Sequence, residues 1–246
     1  MLTHPTVDLL VKLGFAGMAR AFTELQTNKS AADLDHAEWL ALLLEREASE
    51  RSNRQLTARL RHARLRQRAT IEDVDYRAPR GLDRALFQKL IAGDWIEAPQ
   101  NLIIEGPTGV GKSWLACALG NKACRDNRSV LYQRVPKLFA DLALARGDGR
   151  HPKLMMRLGK VKLLILDDWG LEPFGPDQRH DLLEIVEERC GRAATLITSQ
   201  IPVDRWHNII GEPTIADAIL DRIVHNAHRL KLKGDSLRKK IAPQSA

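Results

Sequence analysis

The stretch "IIEGPTGVGKSWLA", residues 103 to 116, narrows most sharply what this chain can fold into. An apolar run leads into Gly106-Pro107-Thr108-Gly109-Val110-Gly111-Lys112-Ser113, which fits GxxxxGK[ST] in full, and helix-forming residues follow. Glycines at these places let successive backbone N–H groups converge on phosphate oxygens, and the start of a helix adds favourable partial charge. Lys112 is placed to reach the β and γ oxygens of a bound nucleotide, and the Ser113 hydroxyl to ligate Mg²⁺. The pattern has a mechanism only between a strand and a helix, so the rest of the chain should supply a sheet around it.

That sheet is legible. "NLIIEG", "SVLYQRV" (129–135), "KLLILDD" (162–168) and "ATLITSQ" (194–200) are short apolar runs rich in Leu, Val, Ile and Thr. Helical stretches over about 136–146, 177–190 and 215–230 separate them, so the fold class is α/β: a parallel sheet flanked by helices. Residues 1 to about 70 read as helical throughout, with Leu9, Leu10, Leu13, Met18, Phe22 and Leu25 at helical spacing. Ser30 and Asp33 are cap candidates for a second helical region, and an arginine-rich helix follows over roughly 45–68. Pro and Gly in "DYRAPRGLD" (75–83) mark a boundary. The expected organisation is a small all-α domain over 1–72, a linker and entry helix over 73–98, and a nucleotide domain over 99–246.

Composition, at 44% hydrophobic and 28% charged residues, excludes a disordered chain and allows a buried core. Cys117, Cys124 and Cys190 form no CxxC pair; Cys117 and Cys124, seven apart on one helix face, read as buried thiols. The N-terminus lacks a basic n-region and no run is long enough to span a membrane, so a reducing, cytoplasmic setting is expected. A net charge of +7 suits a polyanionic partner.

The arginine-rich stretch locates much of that charge. At about 100° per residue, Arg46, Arg54, Arg61, Arg64 and Arg68 share a sector about 80° wide, with Leu56, Leu60 and Ala63 opposite. Acidic residues stop after Glu50, leaving a guanidinium row suited to the phosphates of double-stranded DNA or to an acidic protein. The scarcity of aromatics disfavours stacking on single strands.

"VKLLILDDWG" places two carboxylates at the tip of an apolar strand. Asp167 can deliver an oxygen to Mg²⁺. Asp168 points elsewhere by strand alternation, where it can accept a hydrogen bond from an attacking water as general base. The plainer reading is an acidic strand-to-loop turn. One strand intervenes between the loop and this strand, and another follows, ending in "TSQ".

That order resembles the additional-strand P-loop NTPases, and more closely the AAA+ ATPases. The resemblance implies a polar sensor at the end of the following strand, either Ser199 or Gln200. It also implies that Arg222 in "AILDRIVHNAH", read as opening a helix, reaches a neighbouring subunit as an arginine finger. The alternative there is a surface arginine paired with Asp221 or another carboxylate. Arg238 in "KGDSLRKK" becomes a sensor-type arginine or a solvated tail.

"GFAGMARAF", "PRGLDRALFQKL", "LITSQIPVDRWH" and "ILDRIVHNAHRLKLKGDSLRKK" together resemble the IstB-type transposition helpers, over nearly the whole chain. The resemblance implies an AAA+ domain without a full C-terminal lid and an ATP-dependent oligomer on DNA. It further implies a transposase partner and kinship to DnaC-type helicase loaders. A small-molecule kinase and a DNA-binding scaffold that holds ATP without turnover are the readings from other classes.

Overall fold

The computed structural model describes residues 4–28 and 33–237; Ser30 and Arg238 lie outside them. The chain forms two compact units, Met1–Ala58 and Arg59–Ala246.

The first unit holds helices α1 (Pro5–Lys12), α2 (Ala16–Thr27) and most of α3 (His36–Ala63). Asp35, not the expected Asp33, starts α3: its Oδ1 accepts from Glu38 N at 2.8 Å, and Glu38 Oε2 accepts from Asp35 N at 3.0 Å. The α2 N-terminus is capped from a distance. Glu47 on α3, 5% exposed, accepts from Gly17 N at 2.8 Å and Met18 N at 3.2 Å. Glycine is required there, because a Cβ on Gly17 would stand 2.8 Å from the Glu47 Cα. Phe22 meets Trp39 edge-on at 5.3 Å.

Helix α3 stops at Ala63, short of the expected 68, and Arg64 takes a left-handed φ of 54°. Beyond it Ala69 is fully buried, and Leu65 packs where a Cβ on Gly120 would fall, 2.9 Å from Leu65 Cδ2. Those tertiary contacts end the helix in a stretch with no Pro or Gly to announce it. The arginine row is corrected accordingly: Arg54 and Arg61 are helical and exposed, whereas Arg64 and Arg68 are exposed but follow the turn. Arg46 is not unpaired, since its Nη2 meets Glu24 at 2.7 Å.

The second unit is built on five parallel strands: β1 (Asn101–Glu105), β2 (Val130–Arg134), β3 (Leu163–Trp169), β4 (Ala194–Ser199) and β5 (Ala227–Lys231), ordered β2-β3-β4-β1-β5. The helices between them are α4 (Arg84–Ala92), α5 (Asp94–Glu97), α6 (Lys112–Arg125), α7 (Val135–Gly147), α8 (His151–Lys160), α9 (Pro176–Arg189), α10 (Trp206–Ile210) and α11 (Pro213–Val224). The expected linker region supplies α4 as its entry helix, started by Asp83 and ended by Gly93 at φ 83°. The compact unit, however, begins at Arg59 rather than after residue 72.

Strand alternation divides the core. Ile103, Leu164, Leu166 and Ile197 pack with Leu138, Leu182, Ile219 and their neighbours. Ile165 faces the other way, its Cδ1 lying 2.8 Å from where a Cβ on Gly120 of α6 would be. Cys117 and Cys124 are buried free thiols on α6, and burial raises both pKa values, that of Cys124 to about 11. The expected helix over 215–230 divides: α11 ends at Val224 and β5 joins the sheet beside β1. Arg222 therefore closes a helix instead of opening one. Helices α8 and α10 were not anticipated.

Candidate functional site

β1 delivers the chain into the glycine-rich loop at the carboxyl edge of the sheet, and α6 starts at Lys112. Gly106 has φ 152°, and a Cβ there would lie 2.5 Å from the Leu232 carbonyl oxygen. Gly111, at φ 95°, is the N-cap of α6. These two positions exclude larger residues on backbone grounds. Val110 is fully buried and anchors the loop from beneath. Lys112, 8% exposed, lays its Nζ across the loop, donating to the carbonyls of Gly106 at 2.7 Å and Pro107 at 2.8 Å.

Opposite the loop stands the acidic strand end. Asp167 is fully buried, and its Oδ1 accepts from Ser113 Oγ at 2.7 Å. Thr198 Oγ1 also donates to Oδ1, and Tyr132 Oη donates to Oδ2. Burial, followed by the bond to Asp167, pushes the Tyr132 phenol far above its ordinary value, so it remains a donor. The carboxylate is thus fixed from β2, β4 and α6 at once. One hydroxyl and one carboxylate suit Mg²⁺, which keeps waters and takes further oxygens from phosphate. Among the described residues no cluster of three His, Cys, Asp or Glu side chains would hold a metal by itself.

Asp168 is aimed by more than alternation. The β3–β4 register shifts between Leu166 and Trp169, and Asp168 has φ 62°. A bulge with a left-handed Asp redirects the side chain, while its backbone N–H reaches Thr198 Oγ1 at 3.3 Å. Its Oδ2 is 2.8 Å from Arg134 Nε and 4.0 Å from Arg66 Nη1. The Arg134 pKa is raised chiefly by this hydrogen bond.

The two sensor candidates part company. Ser199 is buried, its Oγ within hydrogen-bonding distance of the carbonyl oxygens of Trp169 and Ile201. Gln200 is exposed, and its Oε1 accepts from Thr108 Oγ1 at 2.6 Å. Gln200, Thr108, Gly109, Gly111, Lys112, Ser113 and Asp168 line a cavity of about 460 Å³. Arg222 does not line it: as in the alternative of a pairing with another carboxylate, Nη2 meets Glu187 at 3.0 Å, and Nη1 donates to Ala218 O at 2.8 Å.

Sequence reading missed Tyr132, Thr198, Arg134 and Arg66. Parallel pairing sets Arg134 opposite Asp167, so Tyr132, two residues earlier on the same face of the neighbouring strand, comes into reach. Only the register reveals this.

The profile of the IstB-like ATP binding proteins matches residues 8–245. The chain belongs to that family. It is 68% identical to the insertion sequence ATP-binding protein y4pL of Sinorhizobium fredii over 97% of this chain and 98% of that one. Among solved structures, DnaI is similar at TM-score 0.58 and 25% identity, over 67% of this chain and 91% of DnaI. The DnaC helicase loader is similar at 0.51 and 18% identity, over 61% and 87%. The sheet unit is an AAA+ P-loop fold, as the motifs implied. No helix among the described residues is long and apolar enough to cross a membrane.

Proposed function

We propose that this protein is an ATPase that regulates transposition: it oligomerises on double-stranded DNA, remodels the target and recruits and stimulates a partner transposase. One observation carries the reading. The phosphate loop, the Ser113–Asp167 pair, Asp168 and Gln200 meet at one cavity edge in a chain closely similar to an insertion sequence ATP-binding protein.

Loop N–H groups and the α6 N-terminus receive the phosphate chain of ATP. Lys112 leaves the carbonyls of Gly106 and Pro107 for the β and γ oxygens. Ser113 and Asp167 would hold Mg²⁺, which neutralises charge on the β and γ oxygens when bound. Asp168 takes the proton of the attacking water, in competition with the Arg134 guanidinium on Oδ2. Gln200 senses the γ-phosphate through its bond network with Thr108. Arg222, held by Glu187 in its own subunit, would act in a neighbour's site after release from that carboxylate. Arg238 would complete the phosphate contacts as a sensor-type arginine. Arg54, Arg61, Arg64 and Arg68 are the proposed contacts to duplex phosphates.

The test is particle imaging of the protein with duplex DNA, with and without ATP or a non-hydrolysable analogue. ATP-dependent oligomers on bent DNA are expected; identical single molecules with and without nucleotide would refute the reading. The likeness to DnaI and DnaC supports a second reading, a replicative helicase loader. Retention of a replicative helicase, but not of the transposase encoded beside this protein, would select it.

A further inference from the structure

Arg80 belongs to the boundary segment that precedes the sheet, with no role assigned to it above, yet its side chain lies against the phosphate loop. It is 3% exposed. A Cβ on Gly111 would fall 2.7 Å from its Nη1, so the guanidinium abuts the last glycine of the loop, and Arg80 lines the same cavity. Its polar atoms are poorly served. Nη2 donates to the Asp75 carbonyl at 3.1 Å, while Nε is buried with no partner.

The surrounding charge makes this arrangement unfavourable without an anion. The guanidinium faces the α6 N-terminus, where the helix dipole is positive, and Lys112 begins that helix. Among the described residues no carboxylate forms an ion pair with Arg80, and Asp75 acts on it only at longer range. Burying a cation without a partner is costly, and buried charges ordinarily have one. Desolvation lowers the Arg80 pKa, with Asp75 and Tyr76 opposing. The position is held deliberately: the Arg80 carbonyl accepts from Lys233 N at 2.9 Å, and Gly234 admits the Pro79 carbonyl 2.3 Å from where its Cβ would be.

We propose that Arg80 is a second cationic contact to the nucleotide, donating to phosphate oxygens that ATP and ADP share. The inference rests on the nucleotide reading of the cavity and adds to it a cation supplied from outside the loop. Gly111 adjoins Lys112 and Ser113, where the β-phosphate is cradled, whereas Gln200, Thr108 and Asp168 mark the γ end. Arg80 therefore bears on the inner phosphates.

The test measures ATP and ADP affinity of the full chain by titration with fluorescent analogues, alongside melting of the nucleotide-free protein. Arg80→Ala and Arg80→Met should bind both nucleotides about 10- to 100-fold more weakly, and Arg80→Lys should recover part of the loss. Without nucleotide, Arg80→Met should melt no lower than wild type, because a buried charge without an ion pair has been removed. Unchanged affinity in both variants, or loss for ATP alone, would overturn the assignment. So would a lowered melting temperature with unchanged affinity, which marks a purely structural arginine. A wild-type chain that holds no ATP would remove the nucleotide reading itself; normal wild-type binding with unaltered Arg80→Ala binding would remove Arg80 alone.

Discussion

In the described part of the helical unit, Ala19, Ala21 and Leu43 are the buried apolar side chains, while Leu9, Val11, Leu13, Leu40 and Leu44 are each more than half exposed. The sheet unit buries Leu102, Ile103, Ile104, Leu163 to Leu166 and whole faces of α6, α7 and α9. The helical unit is held by close helix approach at Gly17 and by one buried carboxylate, Glu47. The sheet unit has a deep core that fixes polar groups at its edge. The difference separates two kinds of sensitivity. Changes at the sheet edge should alter chemistry with the fold intact, and changes in the helical unit should alter its stability with nucleotide chemistry intact.

The strongest expected effect is on turnover. Asp168→Asn should lower ATP hydrolysis by about 10²-fold or more while nucleotide binding, followed by titration, stays near wild type. Hydrolysis at the wild-type rate would end its role as base. Arg222→Ala should cost about 10³-fold or more in turnover if it acts as an arginine finger. Mixing it with Asp168→Asn protein should restore part of the rate, because mixed oligomers rebuild intact sites. If Arg222 serves only to pair with Glu187, neither result will be seen.

In the helical unit, Gly17→Ala forces a Cβ against Glu47 and should destabilise that unit by about 1–3 kcal/mol. Hydrogen exchange should show lost protection in α2 and α3 with β1 to β5 unchanged; equal loss in the sheet would erase the contrast between the units. Acid should probe the same contact. The Arg51 hydrogen bond holds the Glu47 pKa below its ordinary 4.5; desolvation opposes it as the next largest effect, and the Met18 and Gly17 amides add smaller lowering contributions. A depressed carboxylate stabilises the fold above its unfolded pKa, and that contribution is lost as pH falls through the folded value. Exchange protection of α2 should therefore drop below about pH 4.5 in wild type and show a weaker pH dependence in Glu47→Gln. The smallest effect is electrostatic. Arg61→Ala with Arg64→Ala should flatten the salt dependence of duplex binding by about one to two units; an unchanged slope would count against those arginines.

The phosphate loop, the order of four strands and the two adjacent carboxylates were readable because each rests on local pattern. Gly-rich turns, apolar runs and helix periodicity are properties of neighbours in sequence. The end of α3 was not readable, because Leu65 and Ala69 are drawn onto the sheet unit in a stretch that still looks helical. The tail of the expected 215–230 helix failed for a related reason: residues 227–231 find a strand partner in β1, and pairing overrides helical composition. The placement of Ser199 and Gln200 needed the fold too, since one hydroxyl turns inward and the neighbouring amide turns to the cavity.

By itself, then, the sequence determined a loop able to hold phosphates and a parallel sheet able to present it, since both depend on residues a few positions apart. Tertiary structure decided which distant groups meet that loop. Tyr132 and Thr198 reach Asp167 through strand register, Arg134 and Arg66 reach Asp168 past a bulge, and Arg80 is brought back by β5 and the chain beyond it. These meetings depend on pairing and burial across many tens of residues, and local periodicity carries no record of either.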